Sequence, residues 1–111
     1  IRLISTSNII TAYAGTGSDG TATNNAVATS TTIGYSGGIF EDSNGVLYFS
    51  ESGYHKVRTV FYFSGSNIIG TFAGGTTAGY SSSHEGVAAT SATLYEPRGI
   101  SIGIEYPAES T

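Results

Sequence analysis

The 111-residue chain has no cysteine, no methionine and no tryptophan, and only two prolines. Without cysteine there is no disulfide, no thiolate metal ligand and no thiol nucleophile. Charge is scarce as well: 11% of residues are Asp, Glu, Lys or Arg, against about 25% in an ordinary soluble domain. Four of these are basic and eight acidic, giving a net charge of -4. So few cations neutralise few phosphates, which argues against nucleic acid as a partner. No apolar run approaches the roughly 18 residues of a membrane-spanning helix, so no membrane insertion is expected. The length fits one small domain or a part of a larger one. The chain opens on Ile1 and stops at Thr111, and is expected to be an internal or processed piece of a longer protein.

What the chain does contain is glycine, hydroxyls and aromatics. There are 16 Gly, 16 Ser and 15 Thr, with 8 Tyr and 5 Phe. Hydrophobic residues make up 39% and the mean hydropathy is +0.03. That is too apolar for a disordered acidic tail.

The sequence repeats. Asn8-Ile9-Ile10 recurs as Asn67-Ile68-Ile69, and Tyr13-Ala14-Gly15 as Phe72-Ala73-Gly74, both 59 residues on. Ala28-Thr29-Ser30 recurs as Ala89-Thr90-Ser91, Thr32-Ile33 as Thr93-Leu94 and Gly38-Ile39 as Gly99-Ile100, all 61 residues on. The second copy therefore carries two extra residues in the intervening loop. Ile1-Arg2-Leu3-Ile4 matches Val57-Arg58-Thr59-Val60 at a spacing of 56.

Within a repeat the pattern is all β. A short strand over Ser36–Asp42 runs into a turn at Ser43-Asn44-Gly45, where Gly45 is free to take a positive φ. Val46-Leu47-Tyr48-Phe49 is a continuous β-branched and aromatic run, which predicts a strand buried on both faces. After Ser52-Gly53, a third strand over Lys56–Phe63 puts Val57, Thr59, Phe61 and Phe63 on one face and Arg58, Val60 and Tyr62 on the other. Ser64-Gly65-Ser66 turns the chain into a fourth strand over Asn67–Ala73. Only Ala88–Leu94 suggests any helix, as one short turn. Four antiparallel strands on tight turns, repeated after a long crossover, describe a β-propeller blade. A β-solenoid or fibrous β protein shares the composition, but a solenoid coil usually repeats at about half this period or less.

Four stretches resemble the NHL-repeat family of β-propellers. Gly38-Ile39-Phe40-Glu41-Asp42-Ser43-Asn44-Gly45 resembles its Gly-Ile-Ala-Val-Asp-x-x-Gly, and Val46-Leu47-Tyr48-Phe49-Ser50-Glu51 its Asn-Val-Tyr-Val-Ala-Asp. Tyr54-His55-Lys56-Val57-Arg58 resembles the signature Asn-His-Arg-Val-Arg, with Tyr for Asn and Lys for Arg. Ala78-Gly79-Tyr80 through Ala89-Thr90-Ser91-Ala92-Thr93-Leu94, then Pro97-Arg98-Gly99-Ile100, is similar to the long inter-blade loop of large NHL proteins. Ser83–Val87 departs from the centre of that loop, and Ser36 stands where a Pro is expected. The resemblance implies that residues 1–35 hold the last two strands of one blade and an inter-blade loop. Residues 36–74 would then be a complete blade, and residues 75–111 a second loop with the first strand of the next blade. It also implies structural roles for Asp42, Gly45, Tyr48, His55, Arg58, Pro97 and Gly99. One complete blade of an incomplete propeller leaves two apolar faces in water, so the isolated chain is not expected to be a stable monomer.

Catalytic readings of the polar residues are weak. His55 falls within the NHL-like signature, which implies a scaffold role. His84 beside Glu85 lacks the three or four ligands that zinc takes, so a solvated loop pair is expected. Glu41 and Asp42 are adjacent on a strand and point to opposite faces, which bars them from acting as a paired acid and base. Asp42 is expected to accept hydrogen bonds from the turn amides of Asn44 and Gly45. The two copies of the first strand put Glu41 and Ile102 at one equivalent position, which builds no ring of charge. Ser81-Ser82-Ser83 is no nucleophile elbow. Gly15-Thr16-Gly17-Ser18-Asp19-Gly20 lacks the Lys and helix of a phosphate loop.

No catalytic residue, cofactor or metal is therefore expected. The five Asn form no Asn-x-Ser/Thr sequon, which leaves Ser and Thr hydroxyls as the candidate sites for glycans. The expected role is a non-enzymatic structural or binding module of a larger extracellular or cell-surface assembly, partnered by other protein. Those partners are other copies of the chain, joined head to tail in a ring or filament, or the rest of a longer polypeptide. Partner contacts are expected on the long loops, at Thr16, Asp19, Tyr80, His84 and Glu85. The alternative is part of a propeller enzyme, lyase or lactonase-like, with its catalytic residues elsewhere.

Overall fold

The computed structural model describes residues 1–75 and 77–103, apart from the side chain of Ser82. The described chain is all β, with two antiparallel sheets and no α-helix. The first sheet pairs β1 (Arg2–Ile4) with β2 (Ile10–Ala12). The second holds β3 (Ile39–Glu41), β4 (Leu47–Glu51), β5 (Lys56–Phe63) and β6 (Ser66–Ala73), each beside the next in sequence. The third strand matches its predicted span. The first begins three residues later than the predicted Ser36, and the second continues two residues beyond Phe49. The expectation for Ile104-Glu105-Tyr106 as a stub of strand ended by Pro107 falls outside the described residues.

Turn chemistry sets the register. Between β3 and β4, Asp42 Oδ1 accepts the N–H groups of Asn44 at 2.9 Å and Val46 at 3.0 Å. The amide of Gly45 goes instead to the Asp42 carbonyl at 3.1 Å, a correction to its expected side-chain bond. Gly45 sits at φ +80°, a conformation open to glycine. Between β5 and β6, Ser64 and Gly65 both have positive φ, 49° and 90°. This is the signature of a two-residue type I′ hairpin, whose twist suits the flanking strands.

The pleat divides the four-stranded sheet into two faces. Leu47 stands opposite Val60, and Val60 opposite Ile69. These three and Phe49 are buried, in one cluster with Ala14, Ala22 and Ala28. Ile1, Tyr13, Ala26 and Ile33 pack against it. The first long loop is thus part of the core rather than a free crossing: Ala22, Ala28 and Thr31 are buried. It also pads the outer edge of β6, where Asn25 N–H reaches the Ile69 carbonyl at 2.8 Å and Ile69 N–H the Ala26 carbonyl at 3.0 Å.

The other face is covered in part. Ser50 Oγ donates to the Arg98 carbonyl at 2.8 Å and Ser52 Oγ to that of Pro97, which holds residues 97–102 against one end. Tyr48 is only half-buried, because this cover does not extend across the sheet. The expected burial of Val46–Phe49 on both faces is therefore full on one face and incomplete on the other.

The repeat is visible in the backbone. Gly15 N–H bonds the Ala28 carbonyl, and Gly74 N–H the Ala89 carbonyl. Both loops then make a three-residue 3-10 turn, Ala28–Ser30 and Ala89–Ser91, the latter within the predicted Ala88–Leu94. Asn25 at φ 65° and Gly86 at φ 75° take the same left-handed place, 61 residues apart.

Candidate functional site

The polar centre of the chain is an ion pair between Glu51, at the end of β4, and Arg58 on β5. Arg58 Nε lies 3.0 Å from Glu51 Oε1, and both side chains are essentially inaccessible. They meet because β4–β5 register sets Glu51 opposite Lys56 and Phe49 opposite Arg58, which makes them diagonal neighbours on one face.

All five donor hydrogens of Arg58 are used. Beyond Glu51, Nη1 donates to Asn24 Oδ1 and Thr71 Oγ1, both at 2.7 Å. Nη2 donates to Thr21 Oγ1 at 3.0 Å and the Ala22 carbonyl at 2.7 Å. Glu51 in turn accepts the Thr21 hydroxyl at 3.1 Å, Ala22 N–H at 3.0 Å and Gly34 N–H at 3.1 Å. Gly34 can come this close because it has no side chain: a Cβ there would lie 2.9 Å from Glu51 Cγ and collide with the Tyr54 ring. Among the described residues no buried side-chain polar atom lacks a partner. The pair fastens the first loop to the sheet, and every position a substrate would need is occupied. Arg58 is where the sequence places a structural residue. Glu51 was not singled out, because a carboxylate closing an apolar strand looks like a surface residue until the strand register is known.

The other motif residues are distributed along the sheet. Tyr48 donates its hydroxyl to Asp42 Oδ2 at 3.3 Å and stands edge-on to Phe72 with ring centres 5.0 Å apart. Its phenol is raised above the ordinary tyrosine value, chiefly by desolvation and then by the Asp42 carboxylate. Tyr13 is raised too, by desolvation and then by Glu41. His55 adopts the left-handed conformation at the turn before β5. Its Nδ1 accepts Glu96 N–H at 3.0 Å and its ring stacks on Tyr95 at 5.4 Å, so it joins the sheet to the segment after the second loop. Pro97 supplies the carbonyl taken by Ser52. Gly99 has open space where a Cβ would be.

His84 does not pair with Glu85. Its Nδ1 lies 3.2 Å from Thr93 N and 3.0 Å from Thr93 Oγ1, so the expected solvated pair is replaced by a brace within the second loop. Thr16, Asp19, Tyr80 and Glu85 are exposed. Among the described residues no three His, Asp or Glu side chains gather as a metal site.

An apolar opening lies on the partly covered face. It is a groove of about 490 Å³ between Tyr48, Val57, Phe72 and Ala73 on the sheet and Leu94, Pro97 and Ile100 on the segment that follows the second loop. Sequence reasoning implied an open face here without naming these side chains. On the far side of the molecule, Leu3, Ile4, Ile9 and Ile10 of the β1–β2 hairpin are also exposed. Comparison of the chain with family models, with curated proteins and with solved structures found no match in any of the three.

Proposed function

We propose that the chain is a non-enzymatic segment of an NHL-type β-propeller, acting as a structural or binding module of a larger assembly outside the cell. The observation that carries this reading is the sheet arrangement: four consecutive antiparallel strands preceded by a two-stranded antiparallel hairpin whose sequence repeats in the last two of the four, with a like loop leaving each. Such a unit cannot bury both faces alone, and apolar side chains stand open on the second face of this sheet and on the outside of the hairpin. Other protein fills those faces. The burial of Glu51 and Arg58 in mutual contact supports a scaffold role rather than acid–base chemistry, since neither has a position left for a substrate. Abundant Ser and Thr with few charges suit a surface coat or matrix.

The test is a structure of the chain in its assembled form, or of the longer polypeptide that contains it. Four-stranded sheets set radially about a central axis are expected. A continuous solenoid or a two-sheet sandwich would overturn the reading.

A further inference from the structure

The repeat makes the chain its own template for what fills the groove. Resting on the reading above, we infer that the hairpin face of one copy, Arg2, Ile4 and Ile10, docks into the groove of a second copy, with Arg2 set against Glu85.

The contact already made inside the chain shows the pattern. Ile1, Tyr13, Ala14 and Ile33 pack together with Leu47, Phe49, Val60 and Ile69 of the sheet. Their equivalents in the second copy are Val57, Phe72, Ala73 and Leu94. Those four are among the side chains that line the open groove. The groove therefore calls for a surface like that of Val60 and Ile69.

The hairpin supplies it. Ile4 and Ile10 are the equivalents of Val60 and Ile69, and they form the same cross-strand pair. Yet Val60 and Ile69 are 0% exposed, while Ile4 and Ile10 are 66% and 56% exposed. The chain thus presents a knob at one end and its matching hole at the other.

Charge follows the same relation. Arg2 is the equivalent of Arg58. Arg58 is received by Asn24 Oδ1, and the residue equivalent to Asn24 is Glu85, just before the left-handed Gly86 that matches Asn25. Within the chain Glu51 supplies the negative charge, so a neutral Asn24 suffices. An acid at position 85 answers Arg2 in its place. Arg2 and Glu85 are both exposed.

The knob and the hole are different surfaces, so the contact is heterologous and leaves a free end after each addition. The test uses the 111-residue chain in sedimentation velocity over a range of concentrations. The wild type is expected to grow past a dimer. Ile4→Asp with Ile10→Asp, and separately Phe72→Glu, each remove one half of the contact. All three side chains are more than half exposed, and far-UV circular dichroism checks that the fold is kept. Each variant alone is expected to be monomeric, and a mixture of the two to stop at a 1:1 dimer. Arg2→Glu and Glu85→Arg are each expected to weaken association about tenfold, and the double variant to restore it. Association that persists in both half-contact variants, with no rescue in the charge pair, would overturn this pairing of faces and leave the proposed function standing. A compact wild-type monomer with both faces open would overturn both.

Discussion

At the scale of single residues, the account turns on Glu51 and Arg58. A buried ion pair adds little net stability over an apolar pair, but removing one partner strands the other in a dry site. Arg58→Ala leaves Glu51 charged with only Thr21 and two backbone N–H groups. It is expected to cost about 3–5 kcal/mol in chemical denaturation, at fixed chain concentration. Arg58→Lys keeps the charge but not the planar fork that reaches Asn24, Thr71, Thr21 and Ala22 together, so it should rescue only part of the loss. A cost within about 0.5 kcal/mol for Arg58→Ala, the range of ordinary surface changes, would show that the loop is held by other contacts.

Tyr48 gives a pH prediction. Its phenol is raised in the folded chain by desolvation and by Asp42. A raised pKa means that the fold favours the neutral phenol. The resulting stabilisation is complete below the unfolded tyrosine value and is lost as pH rises from there through the folded value. Ultraviolet titration of the wild type against Tyr48→Phe should assign to Tyr48 a step above the ordinary tyrosine value, and Asp42→Asn should lower it. A Tyr48 step that Asp42→Asn leaves unmoved would contradict the contact.

At the scale of elements, much was legible because side-chain alternation and turn chemistry are local. Lys56–Phe63 alternates cleanly, and its strand matches. Ser36–Gly38 does not join β3, because the amides of Gly37 and Gly38 are taken by Ser50 Oγ at 3.2 and 3.0 Å. Ser50 in turn reaches Arg98, 48 residues away, a partnership no local pattern contains. The first loop looked like a polar crossing because its composition is that of a turn-rich segment. Its burial comes from small alanines fitting over β4–β6, from a carboxylate 29 residues away in sequence that accepts the Ala22 amide, and from a guanidinium 36 residues away that donates to the Ala22 carbonyl. The hairpin between β5 and β6 offers a direct check on the local reading. Gly65→Ala places a Cβ at φ 90° and should destabilise by about 1–2 kcal/mol. Ser64→Asn, which suits a type I′ turn, should raise the melting temperature. The reverse order of the two variants would exclude that turn.

At the scale of the whole molecule, packed and open faces are unevenly distributed. Its one shared cluster of buried residues lies between the hairpin, the first loop and one face of the four-stranded sheet. The opposite face and the outside of the hairpin both keep large apolar side chains exposed, among them Ile4, Ile10, Phe63 and Phe72. Neither the sequence pattern nor the strand order names the partner. The proposed self-docking rests on the internal repeat, because one copy displays the contact that the other lacks. If protein fills those faces, folding and association are linked, and stability depends on chain concentration by mass action. The most direct measurement is therefore the thermal melt of the 111-residue chain over a hundredfold range of concentration, paired with its sedimentation. The account predicts a melting temperature that climbs with concentration alongside the mass of the sedimenting species. A compact monomer with one cooperative transition at the same temperature throughout would contradict it.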